Sequence, residues 1–252
     1  MIVLLPPSET KRVGGQAPPL RLEALGYPSL TPIREELVDA LVDLAADRPA
    51  SRTALGISAK QDAEIDRNAA LWTSPTMPAI DRYTGVLYDA LDIGSLKGAA
   101  AQRARARLAV GSALFGLLRA DDEIPAYRLS GGSKLPGAGT LAARWKPALE
   151  PVLAKIAAEE LVVDLRSGAY AALGRVVGAN VVTVDVLSER PDGTRTVVSH
   201  FNKAHKGALA RVLASGRSDP TDAAAVVAVA RRAGLHVERD GSELTVVISD
   251  ER

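Results

Sequence analysis

Met1-Ile2-Val3-Leu4-Leu5-Pro6-Pro7-Ser8-Glu9-Thr10-Lys11 opens the chain with a short apolar run, halted by two prolines and followed at once by a polar cluster. A brief apolar stretch with a β-branched pair reads as a buried strand. Polar residues just beyond a strand end are a common ligand position in α/β proteins. Leu161-Val162-Val163-Asp164-Leu165 repeats the pattern and runs into Arg166-Ser167-Gly168-Ala169-Tyr170. Further along, residues 180–187 and 195–201 flank Pro191-Asp192-Gly193, and residues 235–239 and 244–249 flank Asp240-Gly241. Both pairs read as hairpins.

Helical signals separate these strands. Thr31-Pro32 places a cap and a proline ahead of residues 33–46, where Leu37, Leu41 and Leu44 keep helical spacing. After a tight link at Leu55-Gly56-Ile57, Ser58-Ala59-Lys60-Gln61 is a capping box that opens a helix to about residue 71. Residues 107–118 fit a strand followed by a helix. Trp145, Leu149, Val152, Leu153 and Ile156 share one helical face, with Pro147 and Pro151 bending or restarting it. Residues 203–214 form a helix, and Asp219-Pro220 opens another to about residue 233. The expected fold is α/β, an α+β arrangement around a mixed, partly antiparallel sheet.

Of the 252 residues, 47% are hydrophobic but only 4% aromatic, so the core is built from Ala, Val and Leu. The chain has no cysteine, which excludes disulfides, thiolate metal sites, iron–sulfur clusters and cysteine nucleophiles together. His200, His205 and His236 lack metal-ligand spacing, and no cofactor motif is present, so no metal or cofactor is expected. No run approaches the roughly 18 apolar residues of a membrane span. The apolar start lacks the basic and extended hydrophobic regions of a signal peptide. The expectation is a cytoplasmic protein without a membrane partner, monomeric rather than oligomeric. The net charge of +1 excludes a chain that is cationic overall, but the charge is uneven. Residues 35–66 hold eight acids and three Lys/Arg, residues 97–155 ten Lys/Arg and four acids, and residues 195–217 five Lys/Arg and no acid. That asymmetry can give a neutral protein a locally positive face.

Five segments could carry chemistry. In Ser199-His200-Phe201-Asn202-Lys203-Ala204-His205-Lys206-Gly207, a strand ends near Phe201 and a helix begins. Lys203, Lys206 and Arg211 fall within about 140° of arc on that helix, and Gly207 between them leaves room for a ligand backbone or phosphate. A solvated amphipathic helix has the same pattern. Ser8-Glu9-Thr10-Lys11 follows the first strand; its Ser-x-x-Lys spacing is the bare minimum of a serine acyl-transfer pattern, with no companion motif. Tyr83-Thr84-Gly85 offers two hydroxyls beside a glycine, or a capped turn. Arg119, Arg128 and Lys134 could clamp an anion with Tyr127 as a stacking surface, or pair with Asp121, Asp122 and Glu123. Ser167 and Tyr170 could face the same cleft, or cap a helix.

Pro6 to Lys11, Tyr83-Thr84-Gly85, Gly116-Leu117-Leu118-Arg119, Tyr127-Arg128-Leu129, Trp145, Asp164 to Ser167 with Tyr170, and Ser199 to Lys203 with Lys206-Gly207 and Arg211 occur in this order along the chain. Together they resemble the YaaA family of peroxide stress proteins. Where some members have Ser-Pro-Ala-Lys-Thr, this chain has Glu9 at the lysine position and a lysine two residues on, at Lys11; Ala204 stands where another lysine is found. The resemblance implies one compact domain over residues 1–252, of unusual topology, with a positively charged cleft and a helix-hairpin-helix element. It also implies DNA binding and a role in limiting oxidative damage when peroxide meets iron. Residues 33–71 are the best candidate for that element, with its turn at Leu55-Gly56-Ile57-Ser58.

Two functions remain open. The first is a DNA-binding protective protein whose cations neutralise phosphates without reading bases. Its surface would draw on Ser8, Lys11, Arg119, Tyr127, Arg128, Lys134, Ser199, Asn202, Lys203, Lys206 and Arg211. The second is an enzyme acting on a small anionic substrate such as a nucleobase or nucleotide, positioned by Tyr83, Thr84, Ser167, Tyr170 and Lys203. Iron or haem storage is poorly supported without cysteine or clustered histidine.

Overall fold

Five strands of the central sheet run in one direction, and their carboxyl ends fix where the site lies. The computed structural model describes residues 1–137, 139–196 and 199–249; side chains at 199–201 and 249 lie outside that description. The strands are β1 (Ile2–Leu5), β2 (Ala17–Pro19), β3 (Pro75–Pro78), β4 (Leu108–Ser112), β5 (Gly116–Arg119), β6 (Glu123–Ile124), β7 (Val162–Asp164), β8 (Val181–Glu189), β9 (Arg195–Thr196), β10 (Val237–Asp240) and β11 (Glu243–Ser249). The first five helices are α1 (Thr31–Leu44), α2 (Arg48–Leu55), α3 (Ala63–Ala69), α4 (Ala79–Arg82) and α5 (Val86–Leu91). The rest are α6 (Gly98–Arg107), α7 (Leu141–Glu159), α8 (Gly168–Ala171), α9 (Ser199–Ser215) and α10 (Ala223–Arg232).

The main sheet has the order β10-β11-β8-β7-β1-β4-β5, with β9 paired to the end of β8. β4, β1, β7, β8 and β11 are mutually parallel, while β5, β9 and β10 are antiparallel to their neighbours. A second sheet, β2-β3-β6, is antiparallel. The mixed α/β fold agrees with the sequence reading. β1 lies mid-sheet and is buried from Val3 to Leu5, as its unbroken apolar run requires. Helix α7 lays Leu141, Trp145, Leu149 and Leu153 against the core and passes through Pro147 and Pro151 without interruption.

Four expectations need correction. Residues 107–118 are not strand then helix: β4 and β5 form a hairpin. At its turn Gly116 has φ +72°, and a Cβ there would lie 2.6 Å from the Trp145 ring. The indole donates to Ala113 O at 2.8 Å, and buried Arg34 donates to Phe115 O and Leu117 O at 3.0 and 2.7 Å. These tertiary bonds hold as strand a segment whose apolar composition alone does not choose. The second arm of the 180–201 hairpin is cut short. β9 ends at Thr196, and α9 begins at Ser199 rather than beyond Phe201. Ser199-His200-Phe201-Asn202 holds no β-branched residue, so little favours strand there; Val197 and Val198 lie outside the described residues. Thr31 does not cap α1: its Oγ1 is buried without a hydrogen-bond partner. Asp222, not Asp219, caps α10, accepting from the Ala225 amide at 2.8 Å.

The 33–71 segment also differs from expectation. An additional helix, α2, capped by Asp47 and with proline in its first turn, lies between α1 and the turn at Gly56. The capping box at Ser58 is present, but it opens a 3₁₀ turn before α3. Gly56 and Ile57 donate their amides to Thr53 O and Arg52 O, at 3.4 and 3.0 Å, and the Ser58 amide donates to Gln61 Oε1 at 3.2 Å. The amides that a phosphate-binding hairpin would present are therefore used within the turn. Ion pairs Arg48–Asp66 and Arg52–Asp62, at 2.6 and 2.5 Å, join α2 to the residues around α3.

Candidate functional site

β1 is flanked in the sheet by two later strands, β4 and β7, and the carboxyl end of such a strand is a common ligand position in α/β sheets. The segment after β1 turns at this edge. The Thr10 amide donates to Ser8 Oγ at 3.3 Å, and Thr10 Oγ1 donates to Thr84 O at 3.2 Å. Lys11 then forms an antiparallel bridge with Tyr83. Gly85, at φ +99°, allows the two loops to touch: a Cβ there would meet Thr10 Oγ1 at 3.2 Å and Ser8 Oγ at 3.4 Å. Tyr88, from α5, donates to Pro6 O at 2.8 Å and stacks on Tyr83 at 5.5 Å between ring centroids.

Below this bridge runs a buried chain of hydroxyls. Ser112, the last residue of β4, lies 2.8 Å from Tyr127 Oη, which lies 2.8 Å from Tyr83 Oη. The Phe115 amide donates to Ser112 Oγ at 3.0 Å. Burial pushes the Tyr83 phenol up to about 12 and that of Tyr127 well above its ordinary value. Lys11 Nζ sits 4.2 Å from the Tyr127 ring centroid and 5.5 Å from that of Tyr83, and donates to Ser8 O at 3.0 Å. The neighbouring carboxylate, Glu9, pairs with Arg128 at 3.3 Å. Burial therefore dominates and brings the Lys11 ammonium down to about 8, with Glu9 opposing the shift.

The β7 end supplies the other wall. Arg166 donates Nε and Nη2 to the two oxygens of Asp164 at 2.9 and 2.8 Å, and Nη2 also to Gly174 O at 3.0 Å. Its stem passes Gly111 of β4, where a Cβ would stand 3.1 Å from Arg166 Cδ. Tyr170 Oη accepts from the Gly131 amide at 3.3 Å, and burial raises the Tyr170 pKa. Lys206 reaches from α9 to Leu165 O at 3.2 Å; burial lowers its pKa, while Asp185 and Asp164 partly oppose this. Asn202 lies one turn ahead of Lys206 on α9. Its buried Oδ1 has no partner, nor has buried Nε of Arg128.

The structure thus gathers Ser8, Lys11, Tyr83, Tyr127 and Arg128 around one set of loops, with Tyr170 and Lys206 at the adjoining strand end. Thr84 contributes its backbone to the same loops. Ser167 is exposed and starts α8 without a side-chain cap. Ser199 is named among the expected residues, but its side chain lies outside those described. The remaining cations go elsewhere. β5 runs antiparallel, so Arg119 pairs with Ala109 near the amino end of β4, at the opposite edge of the sheet, where its guanidinium stands 5.5 Å from the Tyr27 ring. Arg211 is spent on Leu91 O, Asp92 O and Ser95 Oγ, at 2.8, 2.6 and 2.7 Å. Lys134 and Lys203 are exposed. Gly207 admits no ligand: a Cβ there would lie 2.2 Å from Leu87 O, so it exists to let α9 touch α5. Ser112 and Tyr88 were not singled out by the sequence reading. Ser112 is marked only as the polar end of an apolar run, and Tyr88 only as a hydroxyl five residues beyond Tyr83.

Fold and side-chain positions together define a mixed α/β protein with a cluster of polar loop residues around Lys11 at the carboxyl edge of its parallel strands. A family model described as peroxide stress protein YaaA matches residues 1–240. The UPF0246 protein of Corynebacterium efficiens is 50% identical over 253 residues, covering 98% of this chain and 99% of its own. The UPF0246 protein of Streptomyces coelicolor is 45% identical over 244 residues, 95% and 93% of the two chains. An uncharacterized protein of Campylobacter jejuni is 26% identical over 218 residues, 86% of each. The chain belongs to the YaaA family of peroxide stress proteins. Among the described residues no helix is long and apolar enough to cross a membrane, and no group of three or more His, Asp or Glu could hold a metal ion.

Proposed function

We propose that this chain serves the peroxide-stress role of its family by holding a small anionic ligand, of nucleobase or nucleotide size, among the loops at the end of β1. One observation carries this reading: Lys11 is a desolvated cation whose nearest carboxylate is committed to Arg128. A half-buried charge without a carboxylate of its own is under-compensated, and an anion placed there would satisfy it. Arg128 Nε, buried and unpartnered on the residue that pairs with Glu9, adds a donor for the same ligand.

The second reading, a duplex or other polyanion, draws support from two exposed cations. Lys134 follows the Ser130–Ser133 turn beside Tyr170, and Lys203 lies one helical turn before Gly207 on α9. Against it stand the opposite-edge position of Arg119 and the internal bonds of Arg211.

The experiment is a thermal-shift screen of nucleobases, nucleotides and small carboxylates beside a duplex-DNA titration at increasing salt. A saturable shift with a small anion, lost in Lys11→Ala, supports the first reading. Duplex binding that weakens about tenfold or more between ~50 and ~200 mM salt, as two phosphate contacts require, with no small-anion shift, supports the second.

A further inference from the structure

The ε-amine of Lys11 sits in an unusual setting for a surface-loop lysine. Among the described residues its one hydrogen-bond partner is the Ser8 carbonyl, 3.0 Å away. The charged groups acting on it are Glu9, Arg128, Glu64 and Arg82. Glu9 is bound to Arg128 and Glu64 to Arg67, so neither carboxylate is its own. An amine so placed loses its proton more readily than a solvated one, and the neutral form is the nucleophile.

Beside it runs the hydroxyl chain. Three hydroxyls carry three hydrogens, and two bonds join them. Ser112 Oγ already accepts the Phe115 amide, and among the described residues Tyr127 is its only other partner. Ser112 Oγ keeps a second lone pair, so the chain can be ordered from either end; the direction that gives the Ser112 hydrogen a partner runs from Ser112 to Tyr127 to Tyr83. In that order the spare O–H is that of Tyr83, the residue bridged to Lys11 through the backbone. A nucleophile and a proton donor are thus held on facing strands of one β-bridge.

We propose that Lys11 and Tyr83 form a carbonyl-condensing pair, in which Lys11 adds to the aldehyde or keto group of a small ligand that also carries an anionic group. The neutral Nζ forms a C–N bond to the carbonyl carbon as the C=O π bond opens, and one N–H proton passes to the carbonyl oxygen, which becomes a hydroxyl. Tyr83 lends its proton to that hydroxyl, the C–O bond breaks, and water leaves. The nitrogen then returns a proton to the Tyr83 oxygen. The balance is one amine and one carbonyl giving one imine and one water, with nothing oxidised or reduced. This rests on the small-anion reading, with Arg128 holding the anionic group while Lys11 reacts.

The test uses glyoxylate, an aldehyde with a carboxylate, and acetaldehyde, which lacks one. The full chain is incubated with each, reduced with cyanoborohydride and mapped by peptide mass spectrometry. The expected result with glyoxylate is an adduct on Lys11 formed at least about tenfold faster than on exposed Lys203, with a rate that rises through a midpoint near pH 8. Acetaldehyde should show a smaller preference, because only the lowered pKa of Lys11 and no anion contact favours it. In Tyr83→Phe the Lys11 rate should fall about 100-fold, the usual weight of a positioned acid. Labelling of Lys11 no faster than Lys203, or unaffected by Tyr83→Phe, overturns the proposal. If carboxylates still raise the melting temperature while Lys11 stays unlabelled, the condensing pair fails and the anion site stands. If neither occurs, both fail.

Discussion

Arg166 holds both oxygens of Asp164, two residues earlier in the chain, and the pair is almost wholly enclosed: the two side chains are 1% and 9% exposed. Further contacts of the guanidinium, to Tyr170 O at 3.5 Å and Gly174 O at 3.0 Å, fasten the loop that carries Tyr170. Asp164→Ala leaves a buried cation uncompensated and should destabilise the protein by about 3–5 kcal/mol. The double variant Asp164→Ala/Arg166→Met should recover much of that loss, since the charge that made the single change costly is gone. Urea denaturation of the wild type and the two variants checks this. A double variant no better than the single one would show that the pair contributes through its contacts and not through charge balance.

Gly207 was read from the sequence as space for a ligand, and the structure makes it a contact between helices. Gly207→Ala gains about 1 kcal/mol of helix propensity. It also drives a methyl into the Leu87 carbonyl, a backbone atom that cannot swing aside. The clash should win, giving a net loss of about 1–3 kcal/mol. A drop in melting temperature with ligand binding intact checks the packing role; unchanged stability with lost binding would restore the ligand role.

Those two residues illustrate what could be read in advance. β1, β7 and the β10–β11 hairpin were legible because unbroken apolar runs and an Asp-Gly turn act locally. Helix α2 was missed because Arg48-Pro49-Ala50-Ser51-Arg52-Thr53-Ala54-Leu55 has almost no apolar stripe, although Asp47, Pro49 and Gly56 mark its start and end. Among candidate site residues, Ser8, Lys11, Tyr170 and Lys206 lie at one edge of the sheet because chain direction alone carries strand-end residues there. Arg119 does not. Gly116 lies beside the site-forming end of β4, but three extended residues move the chain about 10 Å away along the antiparallel strand. The Lys11–Tyr83 bridge joins residues 72 positions apart, a pairing that no local pattern specifies.

Lys11 should leave a mark on stability as a function of pH. Its folded pKa is about 8, against an ordinary value of 10.5. Below pH 8 both folded and unfolded chains hold the proton, so the cost of burying the charge is fully present. Above pH 8 the folded chain releases it first, and the unfolded chain binds more protons. Stability attributable to Lys11 therefore rises with pH between about 8 and 10, by an amount of order 2–3 kcal/mol. Buried Tyr83 and Tyr127, whose pKa values are raised, act oppositely above about pH 10 and close the window there. The measurement is denaturant unfolding of wild type and Lys11→Met at pH 7, 8, 9 and 10. The difference between them isolates Lys11 from Lys206, which shifts in the same direction. A constant difference would mean that the amine is better solvated than its surroundings imply.

Arg128 and Arg211 were both expected to bind the ligand, and they differ in how far their donors are already used. Arg211 spends its donors on the 91–95 loop, which follows α5 directly. Arg211→Gln should lower stability by about 1–2 kcal/mol, because hydrogen bonds from a charged, partly exposed group are lost, and leave anion affinity within about twofold of wild type. Arg128 has a buried, unpartnered Nε and a single ion pair to Glu9. Arg128→Gln should cost little stability but weaken the small anion about tenfold or more, the equivalent of one charge-assisted bond. It should have a second effect that Arg211→Gln lacks. Glu9 is released and a nearby positive charge is removed, both of which favour protonated Lys11. The pH midpoint of Lys11, followed by its labelling rate or by NMR of its side chain, should therefore move upward in Arg128→Gln and stay near 8 in Arg211→Gln. Equal midpoints in the two variants would mean that Glu9 does not turn to Lys11 when Arg128 is gone.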